Sequence, residues 1–230
     1  MLNLILHLLG TSFRSRRSLI LENVGPTTVA KYMKRTGPPS QSWKTSLENH
    51  ADEIASVDFF TVPTITCRVL YVFLMVHNAS RRIVHFNVTE HPTMQWTAQQ
   101  LVEALPWDSA PRYLLRDNDR NYGWNFTSQV KALEIEDCST AYRSPWQNPY
   151  IERLIGTVRR ECLDHLIIMR EPHLHRVLRG YVEYYNRDRT HLGLAKDCPI
   201  PREVEPPDIG PIRQRSMVGG LHHRYYREAA

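Results

Sequence analysis

Three runs of apolar, β-branched and aromatic residues follow one another with only short polar breaks. They are "SVDFFTV" (Ser56 to Val62), "RVLYVFLMV" (Arg68 to Val76) and "IVHFNVTE" (Ile83 to Glu90). Breaks this short join neighbouring antiparallel strands, so the stretch reads as a meander. The period then changes. In "TMQWTAQQLVEAL", Met94, Ala98, Leu101 and Leu105 recur at helical spacing, with Thr93 placed to cap the helix. "RYLLR" (Arg112 to Arg116) reads as a short buried strand, Asn125 to Leu133 as a helix, and "EDCSTAY" (Glu136 to Tyr142) as a strand. Helices starting near Pro149 and spanning Glu171 to Arg187 complete the pattern. A meander continued by strands alternating with helices predicts an α/β fold, a mixed five-stranded sheet flanked by helices.

Two prolines and a glycine in "TGPPSQSW" (Thr36 to Trp43) mark a linker. The chain accordingly divides into an N-terminal arm (1–45), a core (46–190) and a proline-rich, irregular C-terminal extension (191–230). Within the arm, "TTVAKYMKR" reads as a short helix capped by Thr27 or Thr28. The end, "GGLHHRYYREAA", is expected to form a small strand pair or to stay mobile. The net charge of +5 is uneven: residues 1–45 carry +6, so the body carries −1. A basic arm suits a polyanion such as nucleic acid, and suits a merely solvated basic surface equally well. The four cysteines lie far apart with no C-x-x-C pair, which points to reduced thiols rather than a zinc site or disulfide framework. "MLNLILHLLG" is too short to span a bilayer and precedes rather than follows its basic run, so neither a membrane span nor a signal peptide is expected.

Three acids stand in awkward places. Asp58 interrupts an apolar strand and shares a face with Phe60 and Val62. An unpaired carboxylate there costs several kcal/mol, so it needs a metal, a salt bridge or an edge position. Asp117 follows "RYLLR", at the carboxyl end of a strand, where ligand sites form in α/β sheets. An ordinary Asx-turn explains Asp117 or Asp119 as well. Glu152 lies in the first turn of a helix that Asn148 can cap and Pro149 can open, a position the helix dipole favours anyway. Its helix buries Ile151, Leu154, Ile155, Val158, Cys162 and Leu166 on one side. Glu152 lies on the other, in a stripe with Gly156, Arg159 and Arg160. Guanidinium groups can hold phosphates bidentately. Together the acids suit one chemistry, in which two Mg²⁺ or Mn²⁺ ions about 3.5–4 Å apart serve phosphodiester displacement.

At these residues the chain resembles a known family. "SVDFFTV", "RDNDRNYG" and "SPWQNPYIERLIGTVRRECLDH" are similar to the DDE-type integrase core of bacterial insertion-sequence transposases, related to retroviral integrases. The 34 residues between Asp117 and Glu152 match the gap typical of that family. The likeness includes "PPSQSW", "HFNVTEHPT" and "YYNRDRTHLGL". It implies an RNase H-like core with Asp58, Asp117 and Glu152 as the catalytic, metal-binding acids. Asp117 is preferred to Asp119 because Tyr122 and Phe126 keep the family spacing from it. The resemblance also implies a mobile loop of Trp146, Gln147 and Asn148, and DNA contacts by Arg159 and Arg160. Lys31, Lys34 and Arg35 would add nucleic-acid contacts from what looks like the last helix of a truncated helix-turn-helix. Residues 1–25 read as a replaced or out-of-frame start. His173, His175, His222 and His223 read as surface or packing residues.

The implied reaction has two steps. Water hydrolyses a phosphodiester at the element's end, and the freed 3′ hydroxyl attacks target DNA, with Mg²⁺ or Mn²⁺ as cofactor. Element-end and target DNA and further copies of the chain are the implied partners, and the bacterial cytoplasm and nucleoid the implied setting. Two other readings compete: a DNA-binding relic or inhibitor without activity, and a metal-dependent nuclease that never joins strands.

Overall fold

The computed structural model describes residues 43–105, 110–141 and 144–229. They belong to two units, divided in the chain between Asn49 and His50. Of the first unit only α1 (Trp43–Asn49) is described. The arm helix expected at "TTVAKYMKR", with Lys31, Lys34 and Arg35, lies outside the described residues.

The second unit is built on a five-stranded sheet of order β3-β2-β1-β4-β5. The strands are β1 (Ile54–Pro63), β2 (Val69–His77), β3 (Ile83–Thr89), β4 (Tyr113–Arg116) and β5 (Glu136–Ser139). β1 to β3 form the expected antiparallel meander, while β4 joins β1, and β5 joins β4, in parallel. Parallel neighbours need crossovers, and the helices α2 (Met94–Ala104) and α3 (Trp124–Ala132) supply them. Thr93 caps α2 as expected, its side chain accepting the Trp96 N–H. The buried face of α2 keeps the expected Leu101 and Leu105 but differs elsewhere. Met94 is exposed, and Thr97, Gln100, Leu101 and Ala104 turn inward. Gln100 is buried because its Oε1 accepts from Asn87 at 2.7 Å and meets His85 Nε2 at 2.9 Å.

Both faces of the sheet are covered. α2 and α3 close one core, which includes Val57, Phe73, Leu114 and Phe126. On the other face, α4 (Pro149–Glu161) and α5 (Glu171–Arg187) close a second core with Phe60, Val62, Leu70 and Leu74. Burying each such side chain stabilises the fold by about 1.5–3 kcal/mol. Ile151, Leu154, Ile155 and Val158 form the inner side of α4, as their spacing predicts, and Cys162 is buried at its end. Asn186 on α5 ties the layers together. Its Oδ1 accepts the Ile83 N–H at 2.9 Å, and its amide donates to Ile83 O at 3.0 Å.

The C-terminal extension contains regular structure that the proline content hides. β6 (Ile212–Met217) and β7 (His222–Arg227) pair as a hairpin, and "GGLHHRYYREAA" supplies the second strand. The turn places Val218, Gly219 and Gly220 at positive φ. His222 docks the hairpin on the helical layer. Its ring stacks on Tyr184 at 4.2 Å, and Nε2 lies 2.8 Å from Glu161 O at the end of α4.

Candidate active site

The site begins where β1 outruns β4. The parallel pairing between them ends at Ser56 and Leu115. The same offset carried two residues further sets Asp58 beside Asp117, just past the end of β4. Adjacent strands lie about 4.8 Å apart. Beyond this point β1 pairs only with β2, so the cleft between β1 and the departing β4 chain is free for ligands. Glu152, in the first turn of α4, reaches the same place from above. Asp58, Asp117, Asp119, Thr140, Asn148 and Glu152 line one cavity of about 290 Å³.

The acids press on one another. Burial raises the Asp58 carboxyl to about 8, the charges of Asp117, Glu152 and Asp119 add to this, and the Phe59 N–H at 2.7 Å offsets part of it. Burial likewise raises Asp117, reinforced by Asp119 and opposed by the Asp119 N–H and Arg116. Glu152 is raised by burial and then by Asp117. Asp119 has a second duty, accepting the Asn121 N–H at 2.9 Å, and so serves the loop as a turn former.

A feature that sequence reasoning missed holds this arrangement. Arg116 is buried at the end of β4. Its Nε and Nη2 donate to the two carboxylate oxygens of Asp137 on β5 at 2.8 and 2.7 Å, and Nη1 donates to Asp117 O at 3.0 Å. The guanidinium also lies 5.5 Å from the ring centre of buried Tyr122, whose hydroxyl has no partner among the described residues. The signal was present: an arginine closing a buried strand demands an acid on the neighbouring strand.

The loop before α4 departs from expectation in one respect. Asn148 does not cap α4. Its side chain turns to β1, donating weakly to Val57 O at 3.5 Å, and its buried Oδ1 has no partner among the described residues. Gln147 Oε1 accepts the Ala141 N–H at 2.7 Å, and Trp146 stands 69% exposed at the rim. Arg159 and Arg160 lie outside the cavity. Arg159 Nη2 donates to Thr61 O at 3.1 Å with its guanidinium near Phe60, because that helix position overhangs β1. Arg160 is exposed and folds back over Gly156.

The donor set is entirely oxygen, which suits a hard divalent cation. The mutual repulsion of the carboxyls and the orphaned Asn148 oxygen also suit a cation. Among the described residues, however, no three Asp, Glu, His or Cys side chains are close enough together to hold one ion. His175 packs on Phe86 and His222 on Tyr184, as side chains in a core do. No described helix is long and apolar enough to cross a membrane.

This architecture recurs in known proteins. Residues 134–199 match the family model described as integrase core domain. The uncharacterized 31.7 kDa protein of insertion element IS407 from Burkholderia multivorans is 22% identical over 191 residues, covering 80% of this chain and 67% of that protein. Among solved structures, a chain of the simian T-cell lymphotropic virus intasome in complex with PP2A regulatory subunit B56 gamma superposes with a TM-score of 0.53 at 14% identity. That match covers 76% of this chain and 66%, just under two thirds, of the viral one. The catalytic domain of Mos1 mariner transposase gives a TM-score of 0.51 at 14% identity, over 61% of this chain and 77% of that one. The HTLV-2 integrase catalytic core domain in complex with magnesium, in its dimeric form, gives 0.50 at 13% identity, over 62% and 91%. The fold is thus RNase H-like, the architecture of integrase and transposase catalytic cores. Residues 134–199 thus carry the likeness to an integrase core domain, and the chain as a whole is similar to an insertion-element protein.

Proposed function

We propose that this chain is a transposase or integrase that cleaves and joins DNA strands with the help of divalent cations. One observation carries the reading: carboxylates from β1, from the end of β4 and from α4 line a single cavity and raise one another's proton affinity. Asp58, Asp117 and Glu152 would hold Mg²⁺ or Mn²⁺, as two ions. When bound, the ions would acidify an attacking water and neutralise charge on the phosphate. Asp58 and Asp117, set on adjacent strands, fix where the reacting phosphodiester lies. Arg116 positions Asp117 through its backbone carbonyl. Trp146 offers an exposed face on which an unpaired base can stack. Lys31, Lys34, Arg35, Arg159 and Arg160 would contact DNA phosphates outside the cleft. Magnesium in the HTLV-2 core and the intasome assembly of the simian virus chain support the metal, the DNA partner and a multimeric complex. The setting would be the bacterial nucleoid.

Among the described residues no three ligands are spaced for one ion, which favours a second reading, a DNA-binding relic without cleavage. A nicking and joining assay on element-end DNA separates them. Mg²⁺- or Mn²⁺-dependent nicks that disappear in Asp117→Asn support the transposase. DNA binding with no cleavage in either metal selects the relic, and cleavage with no joined product selects a nuclease.

A further inference from the structure

A second cavity, of about 250 Å³, lies between the first turns of α4 and the loop that follows α5. Arg81, Tyr150, Arg153, Thr157, Arg189 and His191 line it, and among the described residues no Asp or Glu does. We propose that this cavity seats a backbone phosphate of DNA, a contact separate from the carboxylate cleft and resting on the function proposed above.

Three features argue for an anion. First, the guanidinium groups are gathered without countercharge. Arg81 and Arg153 have no carboxylate within ion-pair distance among the described residues. Burial, and then the nearby Arg153, weakens Arg81's hold on its proton against the pull of Tyr150. Second, Arg81 is aimed. It sits in the β2–β3 turn at φ 61, a backbone conformation that costs a side-chain-bearing residue energy, and its guanidinium lies 4.0 Å from the Tyr150 ring centre. Third, the far wall is fixed. Arg189 donates twice to Glu161 at 2.8 and 2.6 Å, and its Nη1 meets His191 Nδ1 at 3.1 Å. A guanidinium only donates, so Nδ1 accepts and the imidazole is neutral. Arg189 is therefore spent on structure, and Arg81 and Arg153 are the cations left for a ligand. The "YYNRDRTHLGL" segment gains a role here: it frames the cavity with Tyr185, Arg189 and His191.

DNA is the occupant favoured by position. Arg153 directly follows Glu152, so a strand crossing α4 at the carboxylate cleft meets this cavity one residue round the helix. The test uses the full chain with chelator present, so that no cleavage occurs. Binding of a fluorescein-labelled duplex is followed by anisotropy across a salt series. Each phosphate neutralised contributes about 0.9 to the slope of log K against log salt. Arg153→Gln and Arg81→Gln are each expected to lower that slope by about one phosphate. The double variant should lose the same amount, because both arginines hold one group. Arg153→Lys should retain the slope, as should Arg176→Gln on the exposed face of α5. Unchanged slopes in the Gln variants, or additive losses in the double variant, overturn the proposal. So does stabilisation of the wild-type chain by inorganic phosphate that is lost in Arg81→Gln while DNA binding is unaffected. If the wild-type chain binds no duplex at all, the proposed function fails. If it binds and the variants match it, this inference fails alone.

Discussion

Neutralising Asp58 should stabilise the metal-free protein, and only at higher pH. The folded chain holds this carboxyl at about 8 against an ordinary value of 3.8. At about 1.36 kcal/mol per tenfold change in proton affinity, the gap corresponds to a ceiling of about 6 kcal/mol. The sign follows from linkage. A raised folded value gives stability that is complete below about pH 4 and is lost progressively as pH climbs to about 8. Asp58→Asn removes the titration and keeps an oxygen to accept the Phe59 N–H. The variant should therefore match the wild-type chain near pH 4 and exceed it by roughly 2–4 kcal/mol above pH 8, once solvent in the open cavity screens the repulsion. That difference is roughly 5–15 °C in Tm for a chain of this size. Thermal unfolding in chelator across pH 4–9 measures it. Mg²⁺ or Mn²⁺ should then stabilise the wild-type chain at pH 8 and leave Asp58→Asn unmoved. A difference between the two proteins that is flat with pH would refute the clustering of carboxyls on which the site rests.

Asp137→Asn and Arg116→Leu should each lower nicking by roughly 10–100-fold and raise the metal concentration needed for half-maximal rate, since both loosen the support of Asp117. A metal titration of the nicking rate checks this. Asn186→Ala should cost about 2–3 kcal/mol by leaving the buried Ile83 N–H and C=O unpaired, measured as a lower urea midpoint.

Much of the architecture could be read from pattern alone, because each strand and helix of the core buries a face whose period is local. The meander, the inner side of α4 and the Thr93 cap are of this kind. The acids were legible for another reason: a charge inside "SVDFFTV" violates the pattern, and violations mark sites. What escaped depends on partners distant in sequence. Gln100 looks like a surface residue until Asn87 and His85 are brought to it. Arg116 looks like a strand end until β5 presents Asp137. Arg159 looks free until α4 is laid across Thr61. Of the β6–β7 hairpin only the first strand escaped, because "PIRQRSM" lacks apolar alternation, its first five strand residues being exposed.

The unequal pairing of β1 has a consequence for how such a chain can vary. Its first residues are locked to β4 in parallel, and the rest is locked to β2 alone. Losing or gaining one residue between Ser56 and Asp58 would turn the carboxyl to the opposite side of the sheet, into the apolar layer under α2, and would carry Phe60 and Val62 over with it. Length changes far larger than this should be harmless in the hairpin turn at Gly219 and Gly220, so tolerance to insertion ought to follow strand geometry rather than distance from the cleft.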